Sequence, residues 1–99
     1  LEAVDPAFSR MFKELVYAGM YSRTVLDAKT RQLLAVAACI VSNALPDFES
    51  HARAGLRVGL TAEEIREVIF QMVVYVGFPF TVQAFRRFQT MLQNEQAAR

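Results

Sequence analysis

The 99-residue chain holds one cysteine, Cys39, and one histidine, His51. A single cysteine excludes an internal disulfide framework and a Cys-x-x-Cys redox pair within the chain. One His and one Cys at no ligand spacing leave no donor set for a metal, so none is expected. Blocks of like charge are missing too. Eleven basic and ten acidic residues are interspersed, for a net charge of +1. Without a basic cluster there is no electrostatic footprint for nucleic acid, and no such partner is expected. The longest apolar run free of Gly and Pro, residues 33–41, is far too short to cross a bilayer, which argues against a membrane role. Strand-like alternation, fixed-period repeats and low-complexity segments are all absent. No signal peptide is evident, and a reduced, cytoplasmic setting is the expectation.

What the chain has in excess is apolar side chain. Hydrophobic residues make up 54%, against about 45–50% in ordinary globular domains. A domain of this size buries a smaller share of its surface than a large one. The surplus therefore predicts contact with another subunit, and one domain over residues 1–99 that works as a homo-oligomer.

The punctuation predicts an all-α fold of five helices. Asp5-Pro6 suits an N-cap and first helical position, and Phe8, Met11, Phe12, Leu15 and Val16 recur at helical spacing to about Ala18. Gly19 is a left-handed stop. Asp27 caps a second helix through about Ser42, with Asn43 as its end. Its run over residues 33–41 is apolar throughout, so this helix is expected to be buried nearly all round, with Leu34 and Ile40 in the core. Pro46 opens a third helix to about Val58, closed by Gly59. Thr61 and Glu64 form a capping-box pair for a fourth, which Gly77 and Pro79 end near Val76. A last helix from about Phe80 to Gln93 turns Val82, Phe85, Phe88 and Leu92 to one face. Core structure is thus expected over residues 5–92. Residues 1–4 read as a frayed lead-in and residues 93–99 as a polar, mobile tail.

Candidate chemistry concentrates in residues 46–79. Asp47, His51 and Gly55 fall one helical turn apart, so a carboxylate stands where it could fix the imidazole tautomer for acid–base work. Spacing alone equally allows Asp47 as a helix cap and His51 as a hydrogen-bonded bystander. Glu64, Glu67, Gln71 and Tyr75 make a polar row on an otherwise apolar helix. Such a row asks for partners or a wet cavity, unless it is an exposed flank with Glu64 spent in the cap. Arg23, Lys29 and Arg31 gather positive charge before and within the start of the second helix, where a guanidinium could hold a carboxylate or simply face solvent. Cys39, within the apolar run, reads as a small core residue rather than a nucleophile.

Taken in order, these pieces resemble the carboxymuconolactone decarboxylase family, relatives of alkylhydroperoxidase D. The resemblance rests on Tyr21-Ser22-Arg23 with Leu26-Asp27, on Thr30-Arg31-x-Leu33, and on His51-x-x-x-Gly55-Leu56. It continues through Gly59-Leu60-Thr61-x-Glu63-Glu64-Ile65-x-Glu67-Val68 and Gln71-x-x-x-Tyr75-x-Gly77-x-Pro79. It implies a helical protein assembled as a homotrimer or homohexamer, with sites near subunit contacts. Peroxidase members carry a Cys-x-x-Cys pair ending four residues before the histidine. The corresponding residues here are Ala44 and Asp47, so thiol peroxidase chemistry is not expected. The other branch decarboxylates 4-carboxymuconolactone without a cofactor. The resemblance then implies a carboxylated lactone or similar organic acid as substrate. Arg31 or Arg23 would hold carboxylate, Gln71 or Tyr75 would donate hydrogen bonds, and His51 would shuttle the proton, with Asp47 and Glu64 in support. A non-catalytic oligomeric binding or scaffold protein of the same family is the alternative.

Overall fold

Asp5 starts the first helix as expected. Its carboxylate accepts hydrogen bonds from the Ala7 and Phe8 amides at 2.8 and 3.1 Å, and Pro6 takes the first helical position. The computed structural model describes residues 4–98, in which every regular element is a helix. The expected fraying of residues 1–3 and the end of the tail at Arg99 lie outside the described residues. Helix α1, Pro6–Lys13, runs on into a π-helical stretch, Glu14–Met20. Gly19 is therefore not a left-handed stop. It sits inside the wider turn, where a Cβ would come within 3.0 Å of the Glu14 carbonyl oxygen. The Tyr21 amide closes the stretch on the Val16 carbonyl at 2.8 Å.

Local signals set the other boundaries. Helix α2, Ala28–Val41, is capped by Asp27, whose carboxylate accepts from the Thr30 amide at 2.8 Å. Asn43 ends it at φ 54°, one of the few conformations with positive φ that asparagine tolerates. Helix α3, Leu45–Arg57, has Pro46 in its first turn and closes at Gly59, φ 107°. Helix α4, Ala62–Val76, opens with the full capping box: Glu64 amide to Thr61 hydroxyl at 3.0 Å, Thr61 amide to Glu64 carboxylate at 2.9 Å. A single residue, Gly77, separates α4 from α5, Phe78–Ala97. Pro79 lies in the first turn of α5, where it costs no hydrogen bond.

The core forms among α2, α3, α4 and α5. Val36, Ile40, Phe48, Ile65, Ile69 and Phe88 are each at most 1% exposed, and the Phe48 and Phe88 rings meet edge to face at 6.3 Å. Helix α2 is not surrounded, contrary to expectation. Leu34 is 55% exposed and Val41 48%. Helices α3, α4 and α5 cover α2 on its Val36–Ile40 side, and among the described residues Leu34 and Val41 on the other side stay largely uncovered. Of the face expected for α5, Phe88 is buried and Phe85 and Leu92 are half-buried against the core, but Val82 is exposed, and the centre of the inward face is Thr81, Ala84, Phe88 and Met91. Small residues permit close packing there. The Thr81 hydroxyl donates back to the Gly77 and Phe78 carbonyls at 3.1 and 3.3 Å, so its burial leaves no unpaired group. The helix continues past Gln93 to Ala97, and Glu95 near its end accepts from Arg53 Nε at 3.3 Å.

Helix α1 and its π-helical continuation stand outside this core. Phe8, Met11, Phe12 and Leu15 are exposed along an open trough that they line with Glu14 and Val16. The radius of gyration is 14.5 Å, where a compact chain of this length has about 13 Å. The first helix is an arm that keeps Ser9 buried on one side and turns its apolar stripe outward. Among the described residues no helix is long and apolar enough to cross a membrane.

Candidate functional site

A polar group has been built where α2 and α3 meet. Gly55 on α3 leaves room for the Leu60 side chain, while Gln32 of α2 is at ordinary contact distance. A Cβ there would stand 2.7 Å from the Leu60 Cδ1 and 3.6 Å from the Gln32 Cβ. One turn earlier on α3, half-buried His51 places its Nδ1 3.0 Å from Oε1 of Gln32. Gln32 is buried on α2, on the same inward stripe as Val36 and Ile40. Its Nε2 donates to the Tyr21 hydroxyl at 3.4 Å. Both ends of a buried amide are therefore paired, as burial requires.

The segment that follows the π-helical stretch lies over the first turns of α2. The widened turn ends at Tyr21, whose ring stacks on Tyr17 at 6.2 Å between centroids. Arg31, next to Gln32, directs Nη1 to the Met20 sulfur at 3.3 Å and Nη2 to the Arg23 carbonyl at 3.4 Å. Its Nε is buried with no hydrogen-bond partner among the described residues. Tyr21, Gln32 and His51 thus form one hydrogen-bonded chain, and Arg31, the residue before Gln32, joins the set through Met20 and Arg23 of the same covering segment. It combines a permanent cation with unused donor capacity, a neutral amide and a titratable ring.

Of the residues expected from the sequence, His51 and Arg31 belong to this set. Arg23 enters it by its backbone oxygen, while its residue is exposed. Asp47 does not orient His51; Gln32 does, from the neighbouring helix. Asp47 is exposed in the first turn of α3. Its charge, after burial, is the second cause that raises the Cys39 thiol above its ordinary range, the opposite of activation. Glu64 is occupied by the capping box, whose Thr61 hydrogen bonds hold its carboxyl below the usual range. Gln71 and Tyr75 are exposed and make no hydrogen bond among the described residues, so the expected meeting with His51 does not occur within one chain. The buried stripe of α4 runs through Ile65, Ile69 and Met72, and the polar row lies beside it, facing out.

Gln32 and Tyr21 are members of this polar group that spacing arguments passed over. The signal for Gln32 is its phase, because residues 32, 36 and 40 share one face of α2 and the first of them is polar. Among the described residues no three His, Cys, Asp or Glu side chains are placed to share a metal ion.

Comparison with known proteins agrees with this architecture. The chain is 34% identical over 97 residues to an uncharacterized 15.0 kDa protein in the nqo9-nqo10 intergenic region of Paracoccus denitrificans, covering 96% of this chain and 72% of that one. It is 32% identical over 81 residues to nitrosuccinic acid decarboxylase npaB of Metarhizium robertsii, covering 78% of this chain and 57% of the relative. It is 26% identical over 72 residues to 4-carboxymuconolactone decarboxylase of Acinetobacter baylyi, covering 73% and 54%. The chain spans little more than half the length of these two decarboxylases. With its residues 6–90 matching the family's pattern, the chain belongs to the carboxymuconolactone decarboxylase family.

Proposed function

We propose that the protein is a cofactor-independent carbon–carbon lyase that decarboxylates 4-carboxymuconolactone or a related carboxylated lactone. The observation that carries this reading is His51, held by a buried amide beside an arginine with unused donor capacity. The relatives named as decarboxylases support the reaction class. Arg31 is the residue to hold a substrate carboxylate, since a guanidinium offers paired donors in the matching plane. Arg23 adds positive charge at the rim. When the carbon–carbon bond to the leaving carboxylate breaks, its electron pair spreads through the conjugated double bond onto the lactone carbonyl oxygen. Carbon dioxide departs and the resulting enolate takes a proton on carbon. His51 supplies that proton, an imidazole being able both to give and to take one. Fixed donors around the developing oxyanion lower the barrier most.

Assembly is part of the proposal. The exposed apolar arm, and an exposed apolar surface with Phe70, Val74, Tyr75 and Phe78, favour a homo-oligomer, a trimer or hexamer. In such an assembly Gln71 and Tyr75 would serve as donors across a subunit boundary. Their outward placement equally supports the second reading, an oligomeric binding or scaffold protein without turnover.

The test is to follow the ultraviolet absorbance of the lactone with wild-type protein and with His51→Ala. Loss of a general acid–base group lowers the rate by about 10²–10⁴, here with helicity and assembly kept. Absence of turnover by properly assembled wild type favours the scaffold reading. Retained turnover in His51→Ala removes His51 as the proton carrier.

A further inference from the structure

We infer that Gln32 is a positioning residue that fixes His51 in its Nδ1–H tautomer, so that protons enter and leave the ring only at Nε2. The catalytic consequence rests on the reading of His51 as proton carrier; the tautomer itself does not.

The argument starts from what an amide can do. Gln32 has one accepting oxygen and one donating nitrogen. The nitrogen is directed to the Tyr21 hydroxyl at 3.4 Å, which leaves the oxygen to face His51 Nδ1 at 3.0 Å. A carbonyl oxygen can only accept, so Nδ1 must carry hydrogen and Nε2 is left as the free base. Gln32 is 9% exposed, and water has little opportunity to replace either partner.

The opposite orientation of the amide would place Nε2 of Gln32 against a bare Nδ1. That arrangement satisfies one neutral ring form but fails when the ring is protonated, because two donors would then oppose each other. With Oε1 facing the ring, the same hydrogen bond persists in the neutral Nδ1–H form and in the imidazolium. The ring keeps one orientation while its charge changes. A carboxylate in this place would keep that geometry and add a negative charge favouring the imidazolium; the amide adds none. The Tyr21 hydroxyl, able to accept or donate, pairs with the amide's other end at the close of the π-helical stretch, and the ring's need for a partner in both charge states selects the oxygen for His51.

This chain makes the test direct, because His51 is its only histidine. Protein labelled with nitrogen-15 in the histidine ring gives two ring resonances that belong to one residue. They are read on the assembled protein, without substrate, at a pH where the titration has reached the neutral ring. The expected spectrum has Nδ1 protonated and Nε2 bare. Gln32→Glu supplies the reference, since a carboxylate can only accept and enforces the same tautomer. Gln32→Leu is expected to shift the population to the Nε2–H form that a free imidazole favours. Tyr21→Phe, which frees the amide nitrogen, is expected to give a mixture, and serves if Gln32→Leu does not fold. A wild-type spectrum with Nδ1 bare overturns the inference. So does an unchanged tautomer in folded Gln32→Leu. Lactone turnover is a separate measurement: its absence with Nδ1–H intact rejects the lyase reading and leaves the tautomer lock standing.

Discussion

Gly77 stands at φ 81° and ψ 176°, a region occupied essentially by glycine alone. A Cβ there would meet only the Pro79 Cδ at 3.7 Å, so the constraint is torsional rather than one of space. Gly77→Ala should therefore destabilise the fold by about 1–3 kcal/mol, measured by urea denaturation at fixed protein concentration. An unchanged midpoint would mean that the α4–α5 link relaxes to another geometry. This glycine was legible as a helix terminator, because a residue without a Cβ followed closely by proline is a strong local signal. His51 stood out for a different reason, being the one imidazole. Its partner did not. The i, i+4 spacing drew attention to Asp47, whereas the hydrogen bond comes from a residue nineteen positions earlier. A contact between helices depends on how they pack, and one sequence shows that only through the phase of a polar residue on a buried stripe.

Caps account for most of what could be read at the level of elements. Asp5, Asp27 and the Thr61–Glu64 pair all do in the structure what their positions announced, since capping is chemistry confined to one turn. Backbone hydrogen bonds from Thr30 and Thr61 hold the Asp27 and Glu64 carboxyls below their ordinary range. A carboxyl with a depressed folded-state pKa stabilises the fold above its unfolded value, and that contribution fades as the pH falls through the folded one. Unfolding free energy should thus decline on acidification below about pH 4.5, near the unfolded carboxylate values. In Glu64→Gln the decline should be shallower, because one linked group is gone. An identical acid slope in both proteins would show that the Glu64 cap contributes nothing. The facing of α5 was legible only in part: Phe85, Phe88 and Leu92 do pack on the core, but Val82 outweighs Thr81 and Ala84 in any hydrophobic pattern and yet lies outside. Closeness of approach and a hydroxyl that satisfies itself decided otherwise.

For the molecule as a whole, the apolar surplus of the sequence turns out to lie largely on the outside of the single chain. Leu34, Val74, Phe70 and the α1 side chains are exposed together with a core that is itself complete. Light scattering should accordingly find a trimer or larger at micromolar concentration, and an 11.2 kDa species would refute the proposed assembly. Two substitutions separate core from contact. Ile40→Ala should cost about 2–5 kcal/mol at any protein concentration, because Ile40 is 1% exposed within its own chain. Leu34→Ala should act mainly through association, so that its effect grows on dilution; equal effects at high and low concentration would place Leu34 outside the contact. The standing-off of α1 also has a kinetic side. Residues 6–20 form a helix of about the length that is marginal in water on its own, and its apolar stripe finds no cover in its own chain. In the proposed assembly, helices α2 to α5 fold in a first-order process, while lasting order in the first helix waits for an encounter with another chain. Refolding should then show two phases, a fast one independent of concentration and a slower one, carrying the helicity of the arm, whose rate rises with it.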